Sequence, residues 1–218
     1  MVRSTHVLGI LTAASITAAG SAEVILSYTY SDVSGSFDVG SGLYTAVASS
    51  QTSGDVTRLD GAAGTAEFNA GFAGTSMADF VMTINVTNNN GFTADGAGSF
   101  TVSDTNGDTV TGEIVGTWMK GAFGTVFFNG QLNNVTVNDN SGDGSFDGAT
   151  AGSFSTDFSG YNSPFQGAIV TLYIHSASAF LTKSFSGVPA LVSAEIVPAP
   201  GVLALALASG LVAIRRRR

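Results

Sequence analysis

Cysteine is absent from the 218 residues, proline occurs four times, histidine twice and tryptophan once. Without cysteine there is no disulfide framework, no thiolate nucleophile, no Cys-based zinc site and no Cys-ligated iron–sulfur cluster. Charge is scarce too. Only 11% of residues are charged, against roughly 25% in an ordinary soluble domain. Sixteen are acidic and eight basic, for a net charge of −8. Such a chain lacks the positive field that phosphate backbones require, so nucleic acid is not an expected partner.

The charge that exists is unevenly spread. Four of the eight basic residues are the last four, Arg215 to Arg218, and Arg3 lies at the other end. Between residues 23 and 196 only Arg58, Lys120 and Lys183 are basic, while all 16 acids fall there. The middle therefore carries −13 and the ends +5. They are separate pieces.

Residues 1–22 have the order of a secretory signal: Arg3, an apolar run from Val7 to Ala19, then small residues Gly20, Ser21 and Ala22. Cleavage after Ala22 leaves Glu23 as the mature start, and the expected partners are the Sec translocon and signal peptidase. Residues 197–218 form a second address. Val197, Pro198, Ala199, Pro200 and Gly201 end any preceding strand. Gly201 to Ile214 is apolar except for Ser209, and four arginines follow. Fourteen helical residues span about 21 Å, a thin or tilted crossing of a bilayer core. Arg215, Arg216, Arg217 and Arg218 would act as a cytoplasmic stop.

Proline motif, apolar helix and terminal arginines together resemble the PEP-CTERM sorting tail of Gram-negative bacteria, with Ala199 where Glu is usual. The resemblance covers about 22 residues. It implies recognition by an exosortase, an integral-membrane transpeptidase, with processing near the proline motif and release to the cell surface or extracellular matrix. It implies nothing about the chemistry of residues 23–196.

That middle segment alternates with period 2. Phe80, Met82, Ile84 and Val86 face opposite Val81, Thr83, Asn85 and Thr87; Val110, Ile114 and Trp118 lie opposite Thr111, Glu113 and Thr117. Val24 to Tyr30 and the Phe100–Val102 stretch behave likewise. The apolar phase shifts at Asn133-Asn134, which marks a bulge or a break. Turns are expected at Asn90-Gly91, Asp95-Gly96, Asn106-Gly107, Asn129-Gly130 and Asp147-Gly148. Ten to twelve strands with one polar face each predict an all-β antiparallel sandwich or jelly roll, flanked by an N-terminal signal helix and a C-terminal hydrophobic helix.

Candidate chemistry is sparse. His175 is the one histidine of the mature body, placed on a strand face with Ile169, Thr171 and Tyr173, and no Gly-x-Ser-x-Gly elbow accompanies it. Glu67 and Glu113 are the internal glutamates from which a glycosidase pair would be drawn, and Trp118 is the sole tryptophan able to stack on a sugar. The densest cluster is NDNSGDGSFDG, residues 138–148. There Asp139, Ser141 and Asp143 occupy positions 1, 3 and 5 of a calcium-loop pattern, with Gly144 at 6 and Asp147 at 9. Position 12 is Thr150, so the closing bidentate glutamate is missing. Asp104-Thr105-Asn106-Gly107-Asp108 is a weaker candidate that a hairpin turn already explains. The expected protein needs no cofactor, has calcium as a possible ion and carries no catalytic residues. It is an exported, non-enzymatic surface or matrix protein. The alternative is a secreted carbohydrate-binding module or glycoside hydrolase, with polysaccharide as partner.

Overall fold

The computed structural model describes residues 23–69, 80–174 and 180–199. The expected signal helix, the apolar tail from Pro200 onward and His175 lie outside the described residues. Among the described residues the regular elements are twelve strands and one short 3-10 turn, Ala122–Gly124. The strands are β1 (Leu26–Asp38), β2 (Leu43–Val47), β3 (Ser53–Arg58), β4 (Gly64–Phe68), β5 (Phe80–Thr87) and β6 (Thr93–Ser103). They continue with β7 (Thr109–Lys120), β8 (Val126–Asn138), β9 (Ser145–Asp147), β10 (Ser153–Ser155), β11 (Phe165–Ile174) and β12 (Phe185–Val197).

The alternation predicts a sandwich; the sheet instead closes on itself. β12 pairs with β11 on one side and with β1 on the other, and the order β1-β2-β5-β6-β7-β8-β11-β12 makes an eight-stranded antiparallel barrel. Closure satisfies the edge hydrogen bonds that a sandwich leaves open. Two hairpins are added to this ring. β1 is long enough to carry two partners along one edge: β2 on residues 34–38 and β3 on residues 26–31. The change of partner falls at Asp32, whose φ is +53°, and its carbonyl accepts from the Thr52 hydroxyl at 2.9 Å. β3 and β4 thus form a flap continuing the lower half of the sheet. β9 and β10 lie beyond β4, joined to it by the Glu67–Ala151 bridge.

The interior is filled by rings. Tyr28 lies 5.4 Å from Phe100, and Tyr30 5.2 Å from Phe80. Higher up, Trp118 packs 4.9 Å from Tyr44 and 4.8 Å from Phe128. Phe68 of the flap contacts Tyr30 and Phe146, and Phe146 stacks on Phe154 at 5.0 Å. The two added hairpins therefore extend the barrel core.

Room for these rings comes from glycine. Gly96, Gly116 and Gly130 face one another across β6, β7 and β8. A Cβ on Gly96 would lie 2.6 Å from the Phe128 ring and 2.9 Å from Trp118 Nε1, and one on Gly116 would strike the Asn129 carbonyl oxygen. This corrects two expected turns: Asp95-Gly96 and Asn129-Gly130 are mid-strand. Asn90-Gly91 and Asn106-Gly107 do turn the chain, with Gly91 and Gly107 at positive φ. Asp147-Gly148 leads out of β9. Asn133-Asn134 is a bulge inside a continuous β8, with Asn134 at φ +52°. A further irregularity in β11 sets Val170 as the extra residue. Ile169 points inward, whereas Thr171 and Tyr173 take the other face, so the shared face expected from Ile169 to His175 is broken.

Gly116→Ala should lower stability by about 1–3 kcal/mol through overpacking. Gly61→Ala, where nothing lies within 4 Å of the added methyl, should stay within about 0.5 kcal/mol of the parent. Urea unfolding of the two variants checks both.

Candidate functional site

The acidic loops meet at the lower end of the barrel. Strand directions bring the β6–β7 turn and the β8–β9 loop together there, and two buried aspartates lock them. Asp104 is 1% exposed. Its Oδ1 accepts the backbone N–H groups of Asn106, Gly107 and Asp108, and its Oδ2 accepts that of Asp147 at 2.9 Å. A buried carboxylate is tolerable when donors surround it in this way. Asp108, fully buried, accepts the Ser141 backbone N–H at 2.7 Å and the Ser141 hydroxyl at 3.0 Å.

The β8–β9 loop is shaped by its own first carboxylate. Asp139 accepts the N–H groups of Gly142 and Gly144 at 2.7 and 3.0 Å, and both glycines have positive φ. Asp143 accepts the Ser145 backbone N–H and hydroxyl, and the Asn106 side-chain amide at 2.6 Å. The Ser145 backbone bond leads the causes that hold Asp143 below the usual carboxylate range. Carboxylate oxygens of Asp108, Asp139 and Asp143 lie within 4.8 Å of one another. Oxygens bound to one calcium at 2.3–2.6 Å can be no more than about 5 Å apart, so the three fit that ion's reach. A set of oxygen donors alone suits a hard cation and not zinc.

Of the four residues expected in the loop, Asp139 and Asp143 join this triad. The Ser141 hydroxyl is turned to Asp108. Asp147 accepts from the Ser145 hydroxyl at 3.1 Å and, at 3.5 Å, from Asn106. Asp108 enters from 31 positions upstream of Asp139, a contact that local spacing does not reveal.

Glu67 and Glu113 do not come together. Glu67 faces Asp55 across β3–β4, and Glu113 accepts from the Asn134 amide at 3.0 Å. Burial first, and the facing Glu67 charge as a smaller cause, push Asp55 up. A shallow depression of about 650 Å³ on the outer wall is lined by Asp95, Thr117, Asn129 and Gln131 among others, and by neither glutamate. Trp118 is fully buried and cannot stack on a sugar.

One further polar knot gave no sequence signal. Arg58, 4% exposed, grips both oxygens of Asp60 at 2.7 and 2.8 Å, donates to the Ser155 carbonyl and lies 4.0 Å over the Phe158 ring. It ties the β3–β4 turn to the segment after β10. The Arg58 guanidinium leads the causes that hold Asp60 below its ordinary range.

Asp60 and Asp143, with pKa values lowered on folding, add stability above the unfolded carboxylate range. That contribution is lost as pH falls below about 4. Asp55, raised, has the opposite sign and offsets part of it. Unfolding midpoints measured between pH 3 and 6 should fall steeply at the acid end. Asp60→Asn should flatten that slope.

No family model, curated protein or solved structure matches this chain.

Proposed function

We propose that the chain is an exported, non-enzymatic surface or matrix protein, in which both end segments serve delivery and the barrel is the working part. The observation that carries this reading is where the barrel begins and stops. The Ile25 N–H donates to the Ile196 carbonyl at 2.9 Å, and Leu26 faces Ile196. The first and last barrel residues thus lie side by side at one end of the barrel. Val197, counted in the expected sorting motif, is the last residue of β12 and faces Gln166. Signal peptidase cleavage after Ala22 would spare every barrel strand, as would exosortase-like processing at or near the proline motif on the carboxyl side of Val197. Arg215 to Arg218 would hold the tail at the inner membrane until then. Adhesion, matrix building or surface coating is the role proposed for the released barrel.

Mass spectrometry of the secreted form should find Glu23 at the amino terminus and no Arg215 to Arg218. Secreted protein with an intact carboxyl end would refute the processing step.

Calcium is the ion proposed for the loop cluster, held by Asp108, Asp139 and Asp143. It would cross-link two loops that hydrogen bonds already align, and would reduce the repulsion among three carboxylates. Millimolar calcium should raise the melting temperature of the full chain, and Asp143→Ala should abolish the rise. Magnesium, which demands tighter octahedral geometry, should give a smaller shift.

A further inference from the structure

Exposed apolar side chains gather at the end of the barrel opposite the acidic loops. The β1–β2, β5–β6 and β7–β8 connections lie there, with the described residues 180–184 that lead into β12. Val39 is half exposed, Phe92 is 72% exposed and Phe123 is fully exposed. Phe123 also sits at φ +53°, ψ +32°, a left-handed conformation unfavourable for a bulky side chain. The fold thus holds a ring in solvent against both hydrophobic and conformational preference.

An apolar row runs round the wall just below these tips. Met119 faces Phe127, Phe127 faces Tyr173 with ring centres 5.2 Å apart, and Tyr173 faces Leu191. The row nearer mid-barrel is Thr83, Ser99, Glu113 and Asn133, all polar.

Charge differs along the same axis: among the described residues two lysines balance two aspartates at the apolar end, while the opposite end is acidic. Lys120 and Lys183 are the only lysines in the chain, and both are exposed at the apolar end. The Lys120 ammonium lies 5.5 Å from the Phe92 ring centre. Asp38 and Asp95 are also at this end, each hydrogen-bonded within its own neighbourhood. The opposite end holds Asp104, Asp108, Asp139, Asp143 and Asp147.

The tips are braced against one another. The Lys120 N–H donates to the Phe92 carbonyl at 2.8 Å, Val39 N–H to the Ser184 hydroxyl at 3.0 Å, and the Asn89 amide to the Phe180 and Leu181 carbonyls. Asn90 is likewise spent on the Phe92 and Thr93 N–H groups.

We infer that this end of the barrel docks on a lipid surface carrying anionic headgroups. The rings of Phe92 and Phe123 would enter the boundary between headgroups and acyl chains. Phe127 and Tyr173 would lie at headgroup level, as aromatic residues do at membrane interfaces. Lys120 and Lys183 would meet lipid phosphates, while the acidic end is repelled from the surface. A polysaccharide fits less well. The asparagines nearest the rings, Asn89 and Asn90, are already engaged within the loops, and the depression that Tyr173 and Leu191 help to line is mainly apolar, with Ser31 and Asp32 as its polar side chains. The inference does not depend on the export reading.

The apolar segment Gly201 to Ile214 can bind lipid by itself, so the readout must be local to the tips. Phe123→Trp in the full chain places an indole at the loop end, and the unsubstituted chain supplies the Trp118 background. Phe92→Trp is a second reporter should the first misfold. With phosphatidylglycerol–phosphatidylcholine vesicles the added emission should move to shorter wavelength and be quenched by brominated lipid. Pure phosphatidylcholine should give a much weaker response. Lys120→Gln with Lys183→Gln should weaken partitioning at least fivefold, as should raised salt. Vesicle binding that leaves the introduced indole open to aqueous iodide would overturn the inference. So would an equal response without anionic lipid, or a shift produced by soluble alginate alone.

Discussion

Eight strands enclose a space that only side chains can fill, and the arrangement of the rest follows from how it is filled. Trp118 and Phe128 are too large to share their level with ordinary inward residues, so the positions beside them on three strands are glycine. In the lower half the flap adds Phe68, and the β9–β10 hairpin adds Phe146 and Phe154, to the ring packing. The same filling buries polar atoms. The hydroxyls of Tyr28 and Tyr44 and the Trp118 indole N–H have no hydrogen-bond partner among the described residues. Burial pushes the two phenols far above their ordinary pKa, so they stay neutral. Ring area and edge-on aromatic contact offset the desolvation of those atoms.

Alternation made most strand faces legible. Phe80, Met82, Ile84, Phe100, Val102, Val110, Ile114 and Trp118 are all inward and buried, as period 2 predicts. Curvature was not legible, because alternation reports which face a residue takes and not whether the sheet's first and last strands meet. The Asp-Gly and Asn-Gly pairs at 95–96 and 129–130 carry turn chemistry, yet Gly96 answers to the Phe128 ring two strands away and Gly130 to the same ring beside it on β8. Local dipeptides hold no record of that neighbour. Val170 reversed the expected face of β11 for a similar reason: an inserted residue has no signature when both its neighbours are apolar or small.

The candidate ion site was half legible. Asp139 and Asp143 stand out in a loop pattern, whereas Asp108 looks like the end of an ordinary hairpin. Its role arises only when the β6–β7 turn and the β8–β9 loop are brought side by side. Charges are few in this chain, and the buried ones among the described residues are put to structural use. Asp104 organises four backbone donors, Asp108 two donors on Ser141, and Arg58 joins a carboxylate, a carbonyl and an aromatic face. Threonine, serine and asparagine cover much of the outer wall in place of lysine and glutamate.

The antiparallel embrace of β12 by β1 and β11 has a mechanical meaning. β12 is thirteen residues long, about 40 Å of extended chain, and leads directly into the carboxyl-terminal segment. A load applied between that segment and the far end of the barrel runs along the strand axis. The ladders on both flanks of β12 then resist together, in shear, and no hydrogen bond can yield alone. A load pulling the two chain ends apart from each other would meet the β1–β12 ladder at its Leu26–Ile196 end and open it one rung at a time. The barrel is therefore strong as a tether in one direction and a zip fastener in the other.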